Sequence, residues 1–322
     1  MLYPKITKTA KALPKKKVTN KELEIFLETS DEWIEQRTGI KERRIAVEET
    51  TTSLSIEVAR KLVKDIDANS IDLIIVATMS ADMSTPSVAC LVQESIGAYQ
   101  ALCFDINAAC SGFIYALSVA NNYLSGEHIQ RALVIGTDVM SRLVDWSDRQ
   151  TAVLFGDGSG GVLIEKTSDT PSFIGELIQA DGRRSSALYG HSNIKQNRFS
   201  NVTGQPYLTM NGKQIFDFAL RDVSKNMVQI LETNNKTSDE IDFVLAHQAN
   251  YRILLALSKK TGIKKEKFLT NVAQFGNTSA ASIPILLDDV VNKKIVTLSG
   301  NSLCLLTGYG AGLTWGSLLI KL

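Results

Sequence analysis

The chain presents the same order of predicted elements twice, and this duplication limits the folds that it can adopt. A buried-strand pattern at residues 71–77 returns 170 positions later at residues 241–247. Each copy follows an amphipathic helical stripe, over residues 54–66 and then 216–230. Each copy continues into a turn of small residues, an apolar helix and an apolar strand that runs into glycine. The shared order indicates two related halves.

Strands that alternate with helices predict an α/β fold with mainly parallel sheets and right-handed crossovers. Two copies predict two sheets packed around shared helices. The polar, proline-containing run at residues 167–172 breaks the apolar pattern, so we expect one half at 1–170 and the other at 171–322. Residues 153–165 and 313–322 are predicted as closing strands or hairpins. The weakly periodic segment 182–206 is predicted as a surface excursion, of the kind that forms lids or partner sites.

Charge and cysteine content exclude several classes of function. The chain has 35 Lys plus Arg against 34 Asp plus Glu, which argues against nucleic acid as the main partner. Its four cysteines include no C-x-x-C and no histidine at ligand spacing, so no metal site is expected. Free thiols suit a reducing cytoplasm. We expect no signal peptide and no membrane span, because no apolar run approaches about 20 residues.

Cys110 is the first candidate catalytic residue. It lies in a turn of small residues where a helical pattern begins, and a helix N-terminus stabilises a thiolate. An arbitrary cysteine is more often a buried, inert packing residue. The neighbouring Ser111 and Gly112 favour a nucleophile, since they leave room for a substrate. The sequence therefore predicts that Cys110 titrates below an ordinary thiol.

His247 and Asn277 are the candidate partners of this thiol. His128 in a loop and His191 in the excursion are expected at the surface, whereas His247 ends a buried strand at the edge where α/β sheets place their sites. A core histidine would also fit that pattern, and Asn277 alone would fit a helix cap or turn. The duplication makes Cys110 and Asn277 counterparts that could face each other. Two neutral donors beside a thiol favour carbon–carbon bond chemistry on a thioester over hydrolysis.

The motifs at residues 29–34, 37–40, 108–113, 155–158, 247–250 and 276–282 resemble those of β-ketoacyl-acyl carrier protein synthase III, an initiating condensing enzyme of the thiolase-like superfamily. The resemblance spans essentially the whole chain. It implies two α/β halves packed as α-β-α-β-α layers, a homodimer and no cofactor. It also implies that acyl-CoA acylates Cys110, that His247 and Asn277 promote decarboxylation of malonyl-acyl carrier protein, and that the amides of Cys110 and Ala311 form the oxyanion hole.

The same resemblance implies binding roles for further residues. Trp33 and Arg149 would flank the adenine of coenzyme A (CoA), and Arg37 would meet its phosphates. The pantetheine tunnel would be lined by Gly212, Phe216, Ala249 and Asn250. The acyl carrier protein would dock on a basic patch of Arg252, Lys259 and Lys260, which would otherwise be interpreted as a solvated helix face.

Two positions differ from some relatives. Ala311 replaces the central residue of a three-glycine turn. Thr85 replaces a bulky aromatic that reaches the acyl pocket from the neighbouring subunit, so the sequence predicts that primers longer than acetyl are accepted. Two other functions remain open: a related thiolase-fold acyltransferase or condensing enzyme of specialised metabolism, and a non-catalytic scaffold that binds acyl-CoA or carrier protein. The acceptor distinguishes the first, and covalent acylation distinguishes the second.

Overall fold

The computed structural model describes residues 2–190, 199 and 204–322. His191 lies outside the described residues, as does most of the stretch between 190 and 204 within the predicted excursion. The described parts of that excursion include a 3-10 segment, Gly182–Ala187, and a short strand, Leu188–Gly190, that pairs antiparallel with Leu208–Met210 beyond it.

The described residues form strands β1 (Tyr3–Ala12), β2 (Lys16–Thr19), β3 (Glu42–Ile45), β4 (Leu73–Ala77), β5 (Leu102–Ile106), β6 (Arg131–Val139), β7 (Asp157–Ser168), β8 (Phe173–Ala180), β9 (Leu188–Gly190), β10 (Leu208–Met210), β11 (Phe243–Ala246), β12 (Leu303–Gly310) and β13 (Thr314–Lys321). The helices are α1 (Asn20–Leu23), α2 (Asp31–Thr38), α3 (Thr51–Val63), α4 (Val88–Ile96), α5 (Gly112–Ser125), α6 (Arg149–Ala152), α7 (Gly212–Phe218), α8 (Ser224–Thr233), α9 (Tyr251–Thr261), α10 (Val272–Phe275) and α11 (Ser282–Asn292). A π-helical segment, Ala219–Val223, joins α7 to α8.

The strands form two main sheets, ordered β1-β7-β6-β4-β5 and β11-β12-β13-β8. Strand β4 is parallel to β5 and β6, and β11 is parallel to β12, whereas the other pairings are antiparallel. The expectation of mainly parallel sheets is therefore wrong. The closing strand β13 folds back on β12 as a hairpin, whereas β7 pairs antiparallel with β6 after a connection that contains α6. Each of the two closing strands has a further antiparallel neighbour, β8 for β13 and β1 for β7. The closing strands predicted at 153–165 and 313–322 are confirmed.

Apolar packing explains the layers. Helices α5 and α11 lie between the two sheets, where their residues share one core cluster with strands of both. Helices α3 and α4 cover the outer face of the five-stranded sheet, and α7, α8 and α9 cover the outer face of the other. This α-β-α-β-α arrangement is the predicted thiolase-like fold. The strands of the larger sheet all precede residue 170 and those of the four-stranded sheet follow it; the division at that residue stays a prediction.

No helix in the described part of the chain is long and apolar enough to cross a membrane.

Candidate active site

Cys110 lies at the junction of strand β5 and helix α5. A 3-10 turn, Ala109–Ser111, precedes the helix, and its first residue has a φ of 46°. The side chain of Asn107 accepts a hydrogen bond from the Ala109 amide at 3.2 Å, which supports this left-handed conformation. Cys110 is only 5% exposed. A Cβ on Gly310 would lie 2.8 Å from the Cys110 Cβ, so glycine lets the end of β12 pack directly against the cysteine.

His247 directly follows strand β11 and is held by its backbone. Its amide donates to the Thr307 carbonyl at 2.8 Å, and the Tyr309 hydroxyl donates to its carbonyl at 3.2 Å. The ring of Tyr309 packs edge to face on the imidazole, with centroids 5.1 Å apart. Burial lowers the pKa of His247 to about 3, because the interior disfavours the charged ring. The imidazole is therefore neutral near pH 7.

Asn277 is fixed by three hydrogen bonds. Its amide donates to the Leu154 carbonyl at 2.9 Å and its carbonyl accepts from the Gly156 amide at 3.0 Å. The motif at residues 155–158 thus adjoins the chain that holds this asparagine in register. Its Oδ1 accepts from the Ser279 amide at 2.9 Å, so the Nδ2 donor is left for another group. This side chain is 6% exposed.

The three residues line one cavity. Its wall is largely apolar and includes Met79, Met140, Leu154, Phe155, Leu188, Leu208, Met210, Ile215, Phe216 and Ile253. A mostly apolar cavity with a few convergent polar groups is typical of a small-molecule site. The predicted tunnel residues Gly212, Phe216, Ala249 and Asn250 line the same cavity. Ala311 also lines it, next to the turn that follows β12.

Two expectations about Cys110 are wrong. The first concerns its acidity: burial raises the pKa of the thiol to about 12, although Ser279 lowers it in part. Desolvation of the thiolate outweighs the benefit of the helix start in this closed site. The second concerns its counterpart. At the constant offset of 170, Asn277 corresponds to Asn107, and Cys110 corresponds to Ala280.

The other predicted binding residues lie on the surface around the site. The Arg149 guanidinium stacks 5.0 Å from the centroid of the Trp33 ring, and Arg37 is exposed on the same helix as Trp33. Arg252, Lys259 and Lys260 are exposed on α9, which begins directly after Asn250. Thr85 is exposed and does not line the cavity of its own chain. His128 is in a loop between α5 and β6.

Asp138 is a buried residue beside the site that sequence reasoning missed. Its carboxylate accepts from the Thr78 and Ser80 hydroxyls and the Met79 amide, and from the Ala280 amide at 3.1 Å. Burial raises the pKa of this carboxyl. It ties the end of β4 to the turn that follows Asn277. The sequence does offer a signal for this residue, because a carboxylate near the end of the apolar strand 132–139 is unusual. The methionines of the cavity wall cannot be identified from the sequence, since methionine is common in any hydrophobic core.

No three His, Cys, Asp or Glu side chains in the described ranges 2–190, 199 and 204–322 are grouped as a metal site.

Two parts of the chain match models of one protein family. Residues 104–182 match the family model for 3-oxoacyl-[acyl-carrier-protein (ACP)] synthase III, and residues 231–322 match the model for its C-terminal part. A β-ketoacyl-[acyl-carrier-protein] synthase III of Streptococcus uberis is 49% identical over 325 residues, covering 100% of both chains. A protein of the same name from Enterococcus faecalis is 48% identical over 324 residues and 99% of both chains.

Solved structures give the same result. The crystal structure of a 3-oxoacyl-[acyl-carrier-protein] synthase III from Aquifex aeolicus superposes with a TM-score of 0.92 at 40% identity. The match covers 99% of this chain and 100% of that one.

Proposed function

The chain belongs to the 3-oxoacyl-[acyl-carrier-protein] synthase III family, and on that premise we propose how its residues carry out the reaction. The enzyme is a condensing acyltransferase that initiates fatty acid synthesis. We propose a decarboxylative Claisen condensation of an acyl-CoA primer with malonyl-acyl carrier protein through an acyl-Cys110 intermediate. The observation that supports it most is that Cys110, His247 and Asn277 line one largely apolar cavity.

In the first half-reaction, the Cys110 sulfur attacks the acyl-CoA carbonyl. The thiol proton leaves with coenzyme A, which departs as its free thiol. Amides of Cys110 and Ala311 are the proposed donors to the oxyanion that forms. The close packing of Gly310 on Cys110 supports this role, since the chain that leads to Ala311 passes directly beside the cysteine. Burial raises the pKa of the Cys110 thiol, so the free enzyme holds this residue as the thiol near pH 7.

In the second half-reaction, His247 and Asn277 donate hydrogen bonds to the thioester carbonyl of the malonyl group. The carboxylate leaves as carbon dioxide, and the electron pair that it leaves behind forms an enolate, whose negative oxygen the two donors stabilise. The enolate carbon then attacks the acyl-Cys110 carbonyl, and the carbon–sulfur bond breaks to release Cys110 as a thiolate. This thiolate takes up a proton from solvent, which restores the thiol for the next cycle. The neutral state of His247 is compatible with this role, because a neutral imidazole keeps one ring N–H as a donor.

Substrate delivery is proposed from the surface residues. Trp33 and Arg149 offer flat faces to the adenine, and Arg37 offers charge to the phosphates of CoA. The pantetheine arm would pass Gly212, Phe216, Ala249 and Asn250 to reach Cys110. Arg252, Lys259 and Lys260 would meet the acidic carrier protein beside the same entrance. The proposed chemistry requires no cofactor.

We further propose that the enzyme is a homodimer of the cytoplasm. Strand β5 is the edge of the five-stranded sheet, and its Leu102 is 52% exposed. Tyr99 and Tyr123 nearby are 66% and 43% exposed. An open, apolar sheet edge favours pairing with a second copy. The cytoplasm fits four cysteines that are all free.

Mass spectrometry after addition of acyl-CoA tests the acyl-enzyme. We expect one acyl group per chain, on the peptide that contains Cys110, and release of that group when malonyl-acyl carrier protein is added. Cys110→Ser is the matched control and should gain no stable acyl thioester. Acyl label on Cys90, Cys103 or Cys304 would contradict the proposal, as would an unlabelled enzyme that still condenses.

A further inference from the structure

Ser282 contacts the imidazole of His247 from the start of helix α11. Its hydroxyl lies 2.7 Å from the Nδ1 atom of His247, and both side chains are at most 2% exposed. The Gln248 amide also points at this hydroxyl oxygen, at 3.4 Å. The described chain offers the hydroxyl no other hydrogen-bond partner.

This arrangement determines where the imidazole proton lies. A serine hydroxyl has one proton, and the Gln248 amide already uses one lone pair of its oxygen. If the proton of His247 were on Nδ1, it would point at the same oxygen, and the hydroxyl proton would be buried without an acceptor. An unmade buried hydrogen bond disfavours such a state by roughly fivefold to more than a hundredfold. The favoured state therefore has the hydroxyl donating to Nδ1 and the ring proton on Nε2.

The duplicated half provides an internal comparison. Positions 247 and 282 correspond, 170 residues earlier, to Ala77 and Gly112. These two also adjoin each other: a Cβ on Gly112 would lie 3.2 Å from the Cβ of Ala77. Gly112 begins α5 just as Ser282 begins α11. In the first half, residues 77 and 112 thus pack together with no polar side chain. Packing at this point of the fold therefore does not require the hydroxyl of Ser282.

We infer that Ser282 is a positioning residue that holds His247 as the Nε2–H tautomer, with that donor available to the thioester carbonyl in the cavity. The inference rests on the proposed function, because it explains how His247 is prepared for the decarboxylation step. Asn277 is prepared in a parallel way, since its Oδ1 is occupied by the Ser279 amide and its Nδ2 remains free.

Nitrogen-15 NMR of the histidine rings tests the tautomer without any assay of activity. The chain has only three histidines, so His247→Ala identifies the signal of residue 247. In the wild-type enzyme we expect a protonated Nε2 and an unprotonated Nδ1 for His247 at neutral pH. A protonated Nδ1 would overturn the inference. Because the free enzyme is measured, this result is independent of whether the proposed condensation is correct.

The Ser282→Ala variant then tests the consequence. We expect the His247 ring to populate both tautomers and malonyl decarboxylation to slow by about tenfold to a hundredfold, as for other residues that orient a functional histidine. Acylation of Cys110 should change by less than about threefold. Ser282→Cys, which keeps a weaker donor, should recover part of the loss. A single unchanged tautomer in Ser282→Ala, or equal losses in both half-reactions, would overturn the inference. If the variant fails to fold, the wild-type tautomer still decides.

Discussion

Asn107 and Asn277 make the same hydrogen bond in the two halves of the chain. Each accepts from the backbone amide two residues ahead, at 3.2 Å for Asn107 and 2.9 Å for Asn277. In both turns the donor residue, Ala109 or Ser279, has a positive φ. The asparagine bond is thus a shared feature of the turn. The two differ in their surroundings: Asn107 is exposed, whereas Asn277 is buried in the cavity beside Cys110.

The variant Asn107→Ala should therefore lower stability without removing the chemistry. We expect a loss of about 1 kcal/mol in the free energy of unfolding, the usual cost of one such side chain to backbone hydrogen bond. Malonyl decarboxylation should stay within about threefold of wild type, because Asn107 is not proposed as a donor to the substrate. Urea unfolding and carbon dioxide release measure the two effects. A hundredfold loss of decarboxylation would show that the two asparagines share more than the turn.

The neutral state of His247 predicts a flat pH dependence for decarboxylation. Burial lowers the pKa of the ring from 6.5 to about 3, so the donor does not titrate between about pH 5.5 and pH 8. Single-turnover release of carbon dioxide across this range is the measurement. A rate that follows a titration with a midpoint near the ordinary histidine value would contradict a neutral, buried donor.

The lowered pKa of His247 also makes the free energy of unfolding depend on pH. Between pH 6.5 and about 3 the unfolded chain binds a proton on His247 that the folded chain does not. Its contribution to stability is therefore present above pH 6.5 and is lost as the pH falls through this window. His247→Gln should show a smaller loss of unfolding free energy on acidification than wild type, in urea titrations at several pH values. Identical slopes would mean that the ring is not buried as a neutral group.

The order of elements and the meeting of Cys110, His247 and Asn277 at one cavity could be predicted from the sequence, whereas their catalytic roles stay a prediction. Apolar periodicity and the repeated pattern at 71–77 and 241–247 depend on local residue types, so they can be recognised without knowledge of the tertiary structure. Sheet direction could not be predicted, because strands β7 and β13 give the same local pattern whether they lie parallel or antiparallel to their neighbours.

Other features depend on burial, which the sequence does not give. The pKa of Cys110 was predicted in the wrong direction, since the helix start was visible and the desolvation of the thiol was not. The alignment of Cys110 with Asn277 is wrong by three residues. Both turns are rich in small residues, so their composition does not show which positions of the two halves correspond. The cavity wall, including Met79, comes from separate elements that only the fold brings together.

Met79 should limit primer length within one chain. It lines the catalytic cavity and two adjoining cavities, one beside Ala108 and Gly312 and the other beside Met83. Met79→Ala should join these spaces and raise kcat/KM for hexanoyl-CoA relative to acetyl-CoA, by up to about fourfold for each methylene that becomes buried. Kinetics with acetyl-, butyryl- and hexanoyl-CoA measure it. An unchanged profile would mean that Met79 does not separate the cavities.

Thr85 provides a separate prediction, because it lines none of the three cavities of its own chain that Met79 lines. The wild-type enzyme should accept butyryl-CoA and hexanoyl-CoA, and Thr85→Phe should shift the preference toward acetyl-CoA if the dimer brings residue 85 to the neighbouring site. Analytical ultracentrifugation of the variant controls for loss of the dimer. If a dimeric Thr85→Phe enzyme keeps the wild-type profile, residue 85 is not part of the acyl pocket.

Arg252 is the best probe of the carrier-protein patch. It lies in the first turn of α9, where Glu is tolerated by the helix dipole, whereas Lys259 and Lys260 lie in the last turn, where Glu would also weaken the helix. Arg252→Glu should raise the KM for malonyl-acyl carrier protein about tenfold and leave acyl-CoA kinetics nearly unchanged. The exposed Lys15, in the turn between β1 and β2, gives the control variant Lys15→Glu. If the KM values for malonyl-acyl carrier protein and for acyl-CoA rise equally, Arg252 is not part of a carrier-protein docking patch.

The most direct test of the account measures the two half-reactions separately in His247→Ala and Asn277→Ala. Acyl-enzyme formation is followed by the mass of the Cys110 peptide, and decarboxylation by carbon dioxide release from malonyl-acyl carrier protein. Loss of one donor should slow decarboxylation by about a hundredfold to a thousandfold. Acylation of Cys110 should fall far less, because the backbone amides of Cys110 and Ala311 remain. Equal losses in both half-reactions would contradict the division of roles among Cys110, His247 and Asn277.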